Sequence, residues 1–195
     1  MTSPLPLSPR SRRAPRSDGL QNRARVQAAA RELLALHGSA ASVGDIADRA
    51  GVSKGTVFRH YPTKEDLVAE IVLETLDRLS SDTAALLGSA DPSSALQEFM
   101  VEVLRLQARD QGFCDVVEEA APSDARVAAA VVQIGAMVDQ LTSKAKAVGA
   151  IRDDITGQDV VALTNGIHHA ARAMVGSQPE PWHRYLDVVL RGIRV

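Results

Sequence analysis

The sequence predicts an all-α protein of about nine helices. Three observations lead there. Aromatic residues make up 3% of the 195 residues and hydrophobic ones 45%, and a chain rich in Ala, Leu and Val favours helix over strand. Apolar residues recur at spacings of three and four in segment after segment, and no stretch alternates convincingly. Finally, cap residues such as Ser53, Thr63 and the Asp91-Pro92 pair open these segments, and Gly38 and Pro62 close them.

Residues 1–19 hold four prolines, four serines and four arginines (Arg10, Arg12, Arg13, Arg16) with no apolar period. They read as a disordered basic arm, either an inert tail or a contact to phosphate or the minor groove. From Asn22, the residues Val26, Ala30, Leu33, Leu34 and His37 share a helical face, and Gly38 ends that helix. Ser42 caps a short helix, with Asp45 at the capping-box position and Ile46, Ala47 and Ala50 inward. Gly51, just past its end, tolerates positive φ. Ser53 caps a second short helix carrying Val57, Phe58 and Tyr61, which Pro62 forces to stop. Thr63 caps a longer helix that runs from about Lys64 past Leu79, with Leu67, Ile71, Leu76 and Leu79 inward.

Asp91 and Pro92 open another helix, with Leu96, Phe99, Met100, Val103 and Leu104 on one side. A shorter segment covers about Phe113 to Ala120. Residues 124–147 form a long helix with Val127, Val131, Ile134, Val138 and Leu141 on one face. Ala130 and Met137 lie on other faces, the pattern of a helix buried on several sides. Two final helices, about Gln158–Val175 and about Trp182–Ile193, flank the breaker-rich segment 176–181. The last is sharply amphipathic through Trp182, Tyr185, Leu186, Val189, Leu190 and Ile193.

The net charge of −2 conceals a segregation by sign. Residues 1–64 hold eleven Lys or Arg against four Asp or Glu, a net +7, so the remainder carries −9. A basic head on an acidic body is expected when one end meets phosphate and the other does not. The single cysteine, Cys114, excludes an internal disulfide and points to a reducing compartment. No apolar run approaches the roughly 18 residues of a bilayer span, and no apolar region follows the N-terminal arginines. A cytoplasmic location is the expectation.

The segment Ser42–Leu67 carries the functional signal. Helix, glycine-containing turn and helix make the helix-turn-helix plan, whose second helix lies in the DNA major groove. Double-stranded DNA is therefore the expected partner. The chain resembles the TetR (tetracycline-repressor-like) family of bacterial regulators over roughly residues 22–70. The resemblance rests on Ala28-Ala29-Ala30 with Leu33, Leu34 and Gly38, on Asp45-Ile46-Ala47, and on Ala50-Gly51-Val52-Ser53. It continues through Gly55-Thr56-Val57-Phe58-Arg59-His60-Tyr61-Pro62-Thr63-Lys64-Glu65-Asp66-Leu67. Two departures are small: Phe58 stands where the family commonly has tyrosine, and Tyr61 where it has phenylalanine. The end of the chain, from Pro181-Trp182 through Arg184-Tyr185-Leu186-Asp187 to Gly192, looks like one recurrent C-terminal subgroup.

The resemblance implies a helix-turn-helix domain over 20–66 and a ligand-binding and dimerisation domain over 67–195. It implies a repressor, without enzymatic activity, that a small-molecule effector releases from a palindromic operator. Lys54, Gly55, Thr56 and Phe58 occupy groove-facing positions in similar proteins. Lys54 can donate to guanine or phosphate, Thr56 can offer a methyl to thymine or a hydroxyl to phosphate, and Gly55 permits close backbone approach. His60 and Tyr61 stand where backbone contacts are usual. Lys64 adds its charge to the N–H groups at a helix start, which makes a phosphate anchor; Ser42 could do likewise, though its capping role alone would explain it, and Ser53 is a further candidate DNA contact. Arg59 reads equally as a solvated surface residue, and Tyr61 equally as a buried ring with a wet hydroxyl.

For the effector, candidate lining residues are Phe99, Met100, Leu104, Phe113, Cys114 and Val117, then Ile134, Met137, Ile167, His168 and Met174. Each apolar one reads also as plain core. For a homodimer through the last two helices, the expected seam is Val160, Leu163, Ile167, Trp182, Tyr185, Leu186, Val189, Leu190 and Ile193. His168-His169, Cys114 and Glu118-Glu119 have no metal-ligand spacing, so no metal or cofactor is expected. No nucleophile–base pair or phosphate loop is present. An activator, or an architectural regulator without an effector, is the remaining alternative.

Overall fold

The computed structural model describes residues 15–110, 112–172 and 181–195, with side chains from Asp18. Nine α-helices and no strand occur among the described residues. They are α1 Pro15–His37, α2 Val43–Ala50, α3 Lys54–His60, α4 Lys64–Leu87, α5 Pro92–Arg109, α6 Phe113–Ala120, α7 Ala125–Ala147, α8 Gly157–Arg172 and α9 Trp182–Ile193. A 3₁₀ turn, Gly38–Ala40, follows α1. Arg10, Arg12 and Arg13 of the expected arm lie outside the described residues, as does Met174.

The first helix starts at Pro15, so residues 15–19 are helical rather than part of the arm. Proline at the first helical position costs no hydrogen bond, and Asp18 in the first turn suits the positive end of the helix dipole. Leu20, next in this helix, is 71% exposed. His37 at the other end is also exposed, so the buried face of α1 consists of Val26, Ala29, Ala30 and Leu34. Against it pack Ile46, Ala47 and Ala50 of α2, Val57 of α3 and Tyr61. These form a small head.

The caps stand where the sequence placed them. The Ser42 hydroxyl accepts from the Asp45 N–H, and Ser53 accepts from Thr56 N–H. Thr63 and Asp66 form a reciprocal capping box at the start of α4. Gly51 closes α2 at φ 62°, a left-handed conformation that glycine adopts without penalty. At 24 residues, α4 is about 36 Å long. It carries the chain out of the head and into a body where it packs chiefly on α7, and α7 in turn on α8.

Two expectations about the body need correction. Val131 of α7, expected on the inward face, is 39% exposed and its neighbour Val132 72%, so α7 keeps one open face while packing on α4, α5, α6 and α8. Its buried face is Val127, Ile134, Met137, Val138, Leu141, Thr142 and Ala145. The second correction concerns the expected dimer seam. Val160, Ile167, Trp182, Leu186, Leu190 and Ile193 are all buried within the one chain, and only Leu163, Tyr185 and Val189 are partly open. The amphipathic stripe of α9 is the face that seats it on α8. The outward faces carry Val161, Ala162, Gly166 and Ala170 on α8 and Val188 and Gly192 on α9.

Candidate nucleic-acid interface

The two short helices of the head bury one side and open the other. Ser53, Lys54, Gly55, Phe58 and Arg59 are exposed and Thr56 half-exposed, while Val57 is buried beneath them. Phe58 keeps 46% of its surface in solvent, an unusual degree of exposure for an aromatic ring. The Lys54 side chain extends across Gly44 of α2, where an added Cβ would stand 3.0 Å from Lys54 Cε and Nζ. Thr56 Oγ1 lies 3.0 Å from Ser53 Oγ, so the hydroxyls at the start of α3 hold each other.

Gly55 is the most telling of these residues. A Cβ built on it would meet only Ser53 Oγ, at 3.8 Å. No described neighbour demands a glycine there, although glycine inside a helix costs up to about 1 kcal/mol relative to alanine. The missing side chain leaves bare backbone on the exposed face of α3.

Other sequence candidates are more committed to the protein. Tyr61 is 3% exposed, and its hydroxyl accepts from Arg23 Nε at 3.3 Å. Burial pushes its phenol above the ordinary tyrosine range, against the lowering effect of Arg23. Of the two readings of Tyr61, this geometry is the buried ring, with a protein donor in place of water. The half-buried Lys64 donates from Nζ to the Ser39 carbonyl. Ser42 Oγ donates to Asp45 Oδ2 at 2.6 Å, a bond that lowers the Asp45 pKa. His60 is half-buried, with its ring 6.5 Å from that of Tyr61.

Most of the head's arginines are also partnered. Arg23 pairs with Glu70, Arg31 with Glu74, and Arg49 with Glu32 at 2.6 Å. Arg25 Nη2 donates to the Gly51 carbonyl at 3.1 Å. Among the described residues, Lys54 and Arg59 are head cations in no ion pair, and both are exposed around α3.

Comparison with known proteins agrees with this geometry. Residues 27–71 match the family model described as bacterial regulatory proteins, tetR family. Residues 91–195, more than half of the chain, match that of the transcriptional regulator SbtR-like, C-terminal domain. The chain belongs to the TetR family. It is a DNA-binding transcriptional regulator, not an enzyme. An HTH-type transcriptional repressor of Mycobacterium tuberculosis is 38% identical over 87 residues, 44% of each chain. The chain spans less than half the length of the curated relatives it matches. A TetR transcription regulatory protein from Mycobacterium vanbaalenii is 30% identical, with 92% of this chain and 99% of that one aligned at a TM-score of 0.60. The TetR family regulator PfmR of Thermus thermophilus is 25% identical, covering 88% and 100% at a TM-score of 0.70.

In this TetR-family body, the expected effector-site residues fall into two groups. Phe99, Met100, Leu104, Ile134, Met137, Ile167 and His168 are buried. Phe113, Cys114 and Val117 are half-buried on α6. Burial pushes the Cys114 thiol up, the direction of an unreactive thiol. The sequence reading missed Gln107 and Asn165, although Gln107 continues the apolar stripe of Leu96, Met100 and Leu104. Polar residues in such a stripe are the signal that would have found it. Among the described residues no group of metal-ligating side chains forms, and no helix is long and apolar enough to cross a membrane.

Proposed function

We propose that this protein is a repressor that binds a palindromic operator as a homodimer and leaves it when a small-molecule effector occupies the body. Its DNA contacts come from Lys54, Gly55, Thr56 and Phe58 on α3, with Ser42, Ser53 and Lys64 flanking them. The exposed glycine backbone of α3 carries this reading, because no described neighbour accounts for it and a groove approached closely would. Lys54 and Arg59 supply positive charge on the same face. The dimer forms through the outward faces of α8 and α9. Ala162, Gly166 and Ala170 lie four residues apart there, small enough for a second α8 to approach closely. The effector acts by binding one spacing of the two heads better than another, and its authority equals that difference in affinity.

The test is fluorescence anisotropy with DNA from the region upstream of the protein's own gene, using wild type and Gly55→Ala. Operator-selective binding that the methyl group abolishes is the expected result. Equal affinity of both proteins for operator and scrambled DNA would overturn the placement of α3 in the groove.

A further inference from the structure

A polar cluster is buried where α5, α6 and α8 converge. Gln107 of α5 is 2% exposed and His168 of α8 is 5%. Gln107 Nε2 donates to Asn165 Oδ1 at 2.9 Å and to Cys114 Sγ at 3.0 Å. Among the described residues, the other end of its amide, Oε1, has no partner, and neither has Nε2 of His168. Asn165, which accepts from the Gln107 amide, and His168 are three residues apart on α8, so the two lie on one side of that helix. Two unpaired polar atoms this deep are costly, and natural proteins rarely keep them without a use.

The surroundings say what would fit. Arg172, one turn beyond His168, faces Asp115 at 3.5 Å, and Glu118 lies one turn further along α6. The rim is thus no trap for an anion. Burial, then Arg172, holds His168 below its ordinary pKa, so the ring is neutral near pH 7. Leu104 and Ile167 belong to the adjoining core, and Phe113 and Val117 pack against it. The main supports of α6 are α4 and the Gly38–Ala40 turn; it reaches α5 through Cys114 and α8 through Asp115.

We propose that Gln107 and His168 form the polar anchor of the effector site, taking the hydroxyl group of an uncharged, otherwise apolar molecule. One hydroxyl satisfies both orphans, since it donates to an amide oxygen and accepts from an imidazole N–H. This inference deepens the effector reading above and rests on it.

The experiment titrates the full chain with benzyl alcohol and with toluene, the same ring without the hydroxyl, following the His168 imidazole nitrogens by NMR. Benzyl alcohol should shift the His168 Nε2 resonance and bind about tenfold tighter than toluene. His168→Leu, which removes one unpaired group without opening a void, should fold at least as well yet lose this preference. Gln107→Met should lose it too. Equal binding of the two probes by wild type, or a preference that survives both substitutions, would overturn the anchor. Operator affinity is read separately by anisotropy. Hydroxyl-selective binding that leaves DNA affinity unchanged would uphold the anchor and overturn the effector reading.

Discussion

At the scale of single residues, Gly55 separates stability from function. Most substitutions on an exposed helix face change stability by under about 0.5 kcal/mol. Gly55→Ala should improve it by about 0.5–1 kcal/mol through helix propensity, because the added methyl meets only Ser53 Oγ at 3.8 Å. The same methyl should cost at least about tenfold in operator affinity if bare backbone faces the groove. Thermal unfolding and anisotropy on one preparation give both numbers. Lys54→Ala should relax preference at one operator position and cost about 1–3 kcal/mol per head if it reads a base. Lys64→Ala should disturb the Ser39 carbonyl contact and weaken all DNA alike.

At the scale of elements, the caps connect sequence to acid stability. Asp124 accepts from the Arg126 and Val127 N–H groups at the start of α7 and pairs with the Arg126 guanidinium. The Arg126 hydrogen bond holds its pKa at about 2. A carboxyl whose folded pKa is depressed stabilises the fold above its unfolded pKa of about 3.8, and that contribution disappears as pH falls through about 2. Asp124→Asn keeps a side-chain cap but loses the charge. Its melting temperature should fall below wild type's at pH 5, and the gap should close by pH 2. A gap independent of pH would mean that the charge contributes nothing.

The same caps show which parts of the fold were legible. Ser42, Ser53, Thr63 and Asp91 each bond a backbone N–H within three residues, so their chemistry is local and the sequence displays it. The side of a helix that meets a neighbour is not local. Val131 and His37 fit a helical period and still face water. In the head, the exposed face of α3 was readable because Gly51 and Pro62 fix where it starts and stops. The ties of Tyr61 to Arg23 and of Lys64 to Ser39 span 38 and 25 residues, and spacing cannot show them. Gln107 and Asn165 are likewise 58 residues apart.

At the scale of the whole molecule, the sidedness of α9 decides how two copies can meet. Leu186 and Leu190 are spent on α9's own seat within the subunit, while Val188 on its back is 60% exposed. Substituting the two sides should therefore have different consequences. Leu186→Glu buries a charge without a partner, which costs several kcal/mol, so loss of its far-UV helix signal and aggregation are expected. Val188→Glu leaves the subunit intact. If copies associate through the outer faces of α8 and α9, a glutamate opposite its symmetry mate there repels it, because a two-fold interface brings the same patch against itself. Sedimentation should then show folded monomers with unchanged helix content. Operator affinity should drop by orders of magnitude, since a lone head engages one half-site. Isolated half-site affinity, which depends on one head alone, should stay as in wild type. A Val188→Glu protein that still sediments as a dimer would place the interface elsewhere, and the open face of α7 around Val131 and Val132 would be the next surface to charge.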